Sequence, residues 1–159
     1  MHPSEHPAVQ EFMDRFSTMM EPEGLPRPAG RMLALFFADG GEMTAEELAE
    51  RLRISRSNVS TTVRLLESLG VVERSRKSGE RQDRFRLPPD PFLPMLRASV
   101  ARAARMRDLV GNTRDGLPRS LKGAAGRLST LEEFFGHAEA WLTDMQADWP
   151  PRGRRRQRR

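Results

Sequence analysis

Between residues 55 and 64 the chain carries Ser55, Arg56, Ser57, Asn58, Ser60, Thr61 and Arg64, short hydroxyl and amide side chains interleaved with two arginines. On a helix, Arg56, Ser57, Ser60, Thr61 and Arg64 recur at spacings of three and four and follow one face, while Val59, Val63 and Leu66 follow the other. Short side chains let a helix lie close to a duplex, and arginine donates to guanine edges or phosphate oxygens, so this face has the chemistry of major-groove contact. Further along, Arg74, Arg76, Lys77, Arg81 and Arg84 cluster around Gly79 in two short alternating stretches, 71–76 and 81–87. Alternation on both sides of a glycine-containing turn reads as a β-hairpin. Its cations suit flanking phosphates or the minor groove, with phosphate the commoner target.

The plain alternative is a solvated polar surface, and the charge distribution argues against it. The net charge of +5 divides unevenly along the chain. Residues 152–159 hold six arginines, leaving a body with 21 basic and 22 acidic side chains. Within that body, residues 51–86 hold ten basic against four acidic side chains. A basic segment on an otherwise acidic body is expected where one surface meets phosphates.

These residues need elements to present them. Val9, Phe12, Met13, Phe16, Met19 and Met20 have the spacing of a first helix with one buried face. Prolines and glycines in 21–30 interrupt it, and a second helix is predicted over 29–38, stopped at Gly40. Thr44 followed by Glu47 is a capping box opening a third, short helix that ends near Leu52. Ser55 is placed to cap a fourth helix ending at Gly70, so the third and fourth make a helix-turn-helix. After the hairpin, Asp90 and Pro91 prepare a fifth helix from Phe92, with a corner expected at Gly111, Asn112 and the stretch 115–118. A sixth carries an apolar stripe at Leu121, Ala124, Leu128, Leu131, Phe135, Ala138, Leu142 and Met145. Two long helices have little within one small chain to pack against, so the stripe is read as packing between subunits.

The predicted fold is mainly α with a small β-hairpin wing: a winged helix-turn-helix with long N- and C-terminal dimerisation helices. The expected divisions are an N-terminal interface helix over 1–28, the DNA-binding domain over 29–88, a helical dimerisation region over 89–148 and a disordered arginine-rich tail over 149–159. Double-stranded DNA and a second copy of the chain are the expected partners.

Cysteine is absent, which excludes disulfides, thiolate metal sites and cysteine nucleophiles. No apolar run of membrane-spanning length and no signal peptide are read in the sequence, so the expected location is cytoplasmic with no membrane partner. No serine-histidine-aspartate order or phosphate-binding glycine loop points to catalysis; no cofactor or metal is expected. His2 and His6 have ligand spacing, but Pro3 and Pro7 argue for a disordered tail there. His137, beside Phe134, Phe135 and Trp141, reads as a partly buried structural histidine. The arginine tail would add phosphate affinity without sequence information.

The stretch 30–87 resembles the DNA-binding core of MarR-type regulators, specifically the GbsR-like branch. The resemblance rests on Thr44-Ala-Glu-Glu-Leu-Ala, Ile54-Ser55 with Asn58-Val59-Ser60, Leu66-Glu-Ser-Leu-Gly-Val-Val and the Gly79-Glu-Arg-Gln-Asp-Arg wing. It implies a dimeric regulator, by default a repressor on a pseudo-palindromic site, whose affinity responds to a small-molecule effector of unspecified identity. Some branch relatives are associated with choline or glycine betaine, cations that the aromatic group near His137, or Phe12 and Phe16, would suit. Arg53 departs from the pattern, which usually has glycine in the turn; a left-handed non-glycine residue there costs about 1 kcal/mol. Two alternatives keep the fold: a winged-helix module for a protein partner, or a nonspecific architectural DNA binder driven by the tail.

Overall fold

A computed structural model describes residues 2–76, 79 and 82–150. Lys77 and Arg81 of the expected wing, and the arginine-rich residues 152–159, lie outside the described residues. The chain forms two compact units, Met1–Pro91 and Phe92–Arg159.

The first unit begins with a short 3-10 turn at Pro3–Glu5, followed by α1 (Pro7–Met20) and α2 (Arg27–Asp39). The expectation of a disordered segment around His2 and His6 is overturned. Ser4 is buried, and both its backbone N–H and its hydroxyl donate to the Asp39 carboxylate at 2.7 and 2.6 Å. His6 caps α1, its Nδ1 accepting from the Ala8 N–H at 3.2 Å. Prolines that disfavour a long helix here are compatible with a 3-10 turn and with the first position of α1, where no N–H is needed.

The core is built around α2, in which Met32, Leu33, Ala34, Leu35 and Phe36 are all buried. A helix apolar on nearly all sides must be surrounded. Here α1 supplies Met13, α3 (Ala45–Leu52) supplies Leu48 and Leu52, and α4 (Arg56–Ser68) supplies Val59, Val63 and Leu66. Gly30 allows α1 and α2 to meet backbone to backbone, since a Cβ there would lie 2.8 Å from the Ser17 Cα.

Three short strands close the unit: β1 (Met43–Thr44), β2 (Glu73–Ser75) and β3 (Arg84–Arg86), antiparallel in the order β1-β3-β2. Phe85 pairs with Met43 on one side and Arg74 on the other. The period-two alternation of the central strand buries Phe85 in the core and leaves Arg86 exposed. β1 was not foreseen, because two residues carry no readable alternation and are a strand only through their partner β3.

The second unit pairs α5 (Phe92–Asp115) with α6 (Lys122–Asp148), antiparallel, after a 3-10 turn at Arg119–Leu121. Arg107 pairs with Glu139 and Arg114 with Glu132 across them. The expected corner at Gly111 and Asn112 is corrected: α5 continues to Asp115. Gly111 is instead buried against α6, where a Cβ would come within 2.7 Å of the Glu132 carboxylate. Ala124, Leu128, Phe135, Ala138 and Leu142 of the stripe are half-buried, whereas Leu121, Leu131 and Met145 are exposed. No residue of α6 is buried. His137, read as partly buried, is exposed.

Candidate nucleic-acid interface

The helix-turn-helix is set by its caps. Thr44 and Glu47 form the capping box, with the Thr44 N–H donating to Glu47 Oε2 at 2.7 Å and the Glu47 N–H to Thr44 Oγ1 at 3.2 Å. That reciprocal pair holds the Glu47 carboxyl below the usual carboxylate range, the Thr44 N–H being the largest cause. α3 ends at Arg53, whose φ of 54° and ψ of 45° are left-handed as the turn demands. Ser55 then starts α4, its Oγ accepting from the Asn58 N–H at 3.2 Å.

On α4, Ser55, Arg56, Ser57, Ser60, Thr61 and Arg64 are exposed, Asn58 is half-buried, and Val59, Val63 and Leu66 are sealed in the core. Several short groups are locally engaged: Ser55 and Ser57 hydroxyls lie 3.0 Å apart, and Thr61 Oγ1 donates to the Ser57 carbonyl. Asn58 accepts from the buried Thr62 hydroxyl at 3.3 Å, which braces the helix. Arg64 makes no ion pair among the described residues.

α4 and the sheet share a concave face of about 310 Å³, to which Arg56, Ser60 and Arg64 contribute from one side and Arg74, Gln82 and Asp83 from the other. The wing arginines are organised by carboxylates. Arg74 donates to Glu67 and Asp83 and lies over the Phe85 ring, 5.3 Å from its centre. Arg76 donates from Nε and Nη2 to Asp83 at 2.9 and 2.7 Å. These arginines hold the Asp83 carboxyl below its ordinary range, the Arg76 hydrogen bond foremost. Arg84 is half-buried on the central strand, and Arg86 is held by Glu73 and Glu42. Thus Arg56, Arg64, Arg74 and Arg76 come to one region, with Arg74 committed to joining β2 to α4.

Glu46, Glu67 and Asp83 escaped the sequence reading as partners of these arginines. Glu67 and Asp83 were counted there only as charge among the cations of 51–86, yet that same interleaving of acids and arginines is the signal that could have found them. Among the described residues, no cluster of His, Asp and Glu could hold a metal ion.

A capped helix-turn-helix followed by a small antiparallel sheet defines a winged helix-turn-helix, the class of DNA-binding transcription regulators. The chain belongs to the MarR family. The family model matches residues 23–82. The chain is 30% identical over 139 residues to the HTH-type transcriptional regulator MmpR5 of Mycobacterium tuberculosis, covering 87% of this chain and 84% of that protein. It is 27% identical to the HTH-type transcriptional repressor OpcR of Bacillus subtilis, covering 86% of this chain and 80% of the relative. A crystal structure of a transcriptional regulator superposes with a TM-score of 0.80 at 28% identity, covering 90% of this chain and 98% of that one. Family and relatives are transcriptional regulators, not enzymes.

Proposed function

We propose that this DNA-binding regulator acts as a homodimeric repressor, each subunit laying α4 in a major groove of a pseudo-palindromic operator with half-sites about one helical turn apart. The observation that carries the reading is the shared concave face: the polar side of α4 and the cationic hairpin border one cleft. Base contacts fall to Arg56, Ser57, Ser60, Thr61 and Arg64, with Ser55 and Asn58 shaping the start of the helix. Arg76, Arg84, Lys77 and Arg81 serve the flanking backbone.

Dimerisation is supported by α6, in which no residue is fully buried and Phe134 and Trp141 are each 63% exposed and Leu131 41% exposed. Large apolar groups left open along a helix of this length mark a surface that a partner covers. Repression is supported by the likeness to a relative described as a repressor. A concavity of about 440 Å³ between α5 and α6, lined by Arg102, Ala103, Met106, Phe135 and Leu142 among others, has the size and apolar character of a small-effector site. The motifs from Thr44 to the wing support assignment to the GbsR-like branch, and a DNA target supports a cytoplasmic location. Among the described residues no helix is long and apolar enough to cross a membrane.

Selection of bound sequences from a random duplex pool, followed by gel-shift titration at physiological salt, tests the reading. A palindromic consensus bound far more tightly than random DNA is expected. Equal affinity for both would remove it.

A further inference from the structure

One carboxylate on this face pairs with an arginine of α4 as well as lying in the first turn of α3, where acidic side chains favour the helix. Glu46, in the first turn of α3, accepts from Arg56 Nη2 at 2.6 Å, although the two side chains are 61% and 75% exposed. Such an exposed pair adds little to stability. Its position is the unusual part: Glu46 and Arg56 both line the concave face, beside Ser60 and Arg64. A negative charge there repels phosphates and weakens binding to every sequence alike.

We infer that Glu46 is a specificity-determining positioning residue, which holds Arg56 in the orientation that reads a base. This rests on the operator-binding reading proposed above. The pair needs only one of the two N–H groups of Nη2, and the second, with its neighbour on Nη1 or Nε, can still make the two-pronged contact that arginine makes with guanine. Fixing the side chain beforehand removes freedom that binding would otherwise have to remove. The repulsion between Glu46 and phosphate is then offset only on sequences that offer Arg56 its acceptor. Arg64, with no ion pair among the described residues, is the contrasting case: no carboxylate fixes its orientation before DNA arrives.

The test compares wild-type protein, Glu46→Ala, Arg56→Ala and the double variant on two duplexes, the consensus selected by wild-type protein and a random sequence of equal length. Thermal unfolding checks that each variant is folded. Glu46→Ala is expected to lower the ratio of consensus to random affinity about tenfold, with random-sequence binding unchanged or tighter. In the Arg56→Ala background the same substitution should leave the ratio unaltered, because nothing remains to be positioned. An unchanged ratio in Glu46→Ala, or a fall that persists without Arg56, or a proportionate loss on both duplexes, would overturn the inference while leaving the regulator reading intact. A wild-type ratio near one would overturn both.

Discussion

Arg74 of β2 grips Glu67 of α4 through two parallel hydrogen bonds, Nε to Oε1 and Nη2 to Oε2, each 3.0 Å long. The remaining terminal nitrogen donates to Asp83 at 2.9 Å and the guanidinium rests on Phe85, so one side chain fastens the sheet to the helix. The hydrogen bond to Glu67, foremost among the causes, raises the affinity of Arg74 for its proton.

The first prediction follows from that strut. Glu67→Ala and Arg74→Ala should each weaken DNA binding by a similar factor, and the double variant no further, because either change releases the same fastening. Arg74→Lys should behave as Arg74→Ala, since an ammonium cannot make the parallel pair. A double-mutant cycle by urea denaturation should give a coupling of about 0.5–1 kcal/mol for a partly exposed pair. Additive losses would show that Arg74 touches DNA independently of Glu67.

Arg53 supplies the second. It is the one non-glycine residue with positive φ among the described residues, and its N–H closes α3 onto the Ala49 and Glu50 carbonyls. Arg53→Gly should raise stability by about 0.5–1 kcal/mol, since glycine has no Cβ to strain in that conformation. Denaturant titration would reveal the gain. A loss would mean that the arginine side chain itself holds the turn.

The third concerns pH. Glu47 and Asp83 both titrate below their ordinary values in the folded chain, Glu47 through the Thr44 N–H and Asp83 through Arg76. A depressed folded-state value adds stability above the unfolded-state value and loses it as pH falls through the folded one. Unfolding free energy should therefore be level near neutrality and decline below about pH 4. Glu47→Gln should cost about 0.5–1 kcal/mol at neutral pH, as expected for an exposed cap. The gap between the two proteins in urea titrations should narrow as pH falls below about 4 and the Glu47 carboxylate takes up its proton. A difference that persisted there would assign the loss to packing.

How much of this was legible in advance depends on the range of the signal. Thr44, Ser55 and Arg53 act on backbone within a few residues, so both caps and the left-handed turn could be read directly. The buried face of α4 followed from helical spacing. Gly111 was misread as a stop because the same residue type ends helices and permits close approach, and only the position of Glu132 distinguishes the two. Glu46 and Asp83 form pairs ten and seven residues from Arg56 and Arg76, across a turn and a hairpin, a geometry that periodicity alone does not encode.

The fourth prediction concerns the segment that sequence reasoning expected to be loose. Asp39, at the end of α2, has a side chain only 2% exposed, yet it accepts from Ser4 twice and from Arg51 of α3 at 2.5 Å. Arg51 also reaches the His2 ring at 3.0 Å, and Gln10 Nε2 donates to the Ser4 carbonyl at 2.5 Å. The first residues thus fasten the end of α2 to the first helix of the helix-turn-helix. Asp39→Ala should destabilise the fold by about 2–4 kcal/mol, because it leaves an arginine and two donors without their acceptor. Ser4→Ala, which removes one hydroxyl donor, should cost about 1 kcal/mol. Hydrogen exchange should show both variants losing protection in residues 4–10 before the core of α2 is affected. Removal of residues 2–6 with no fall in the denaturation midpoint would show that the network contributes nothing to the fold.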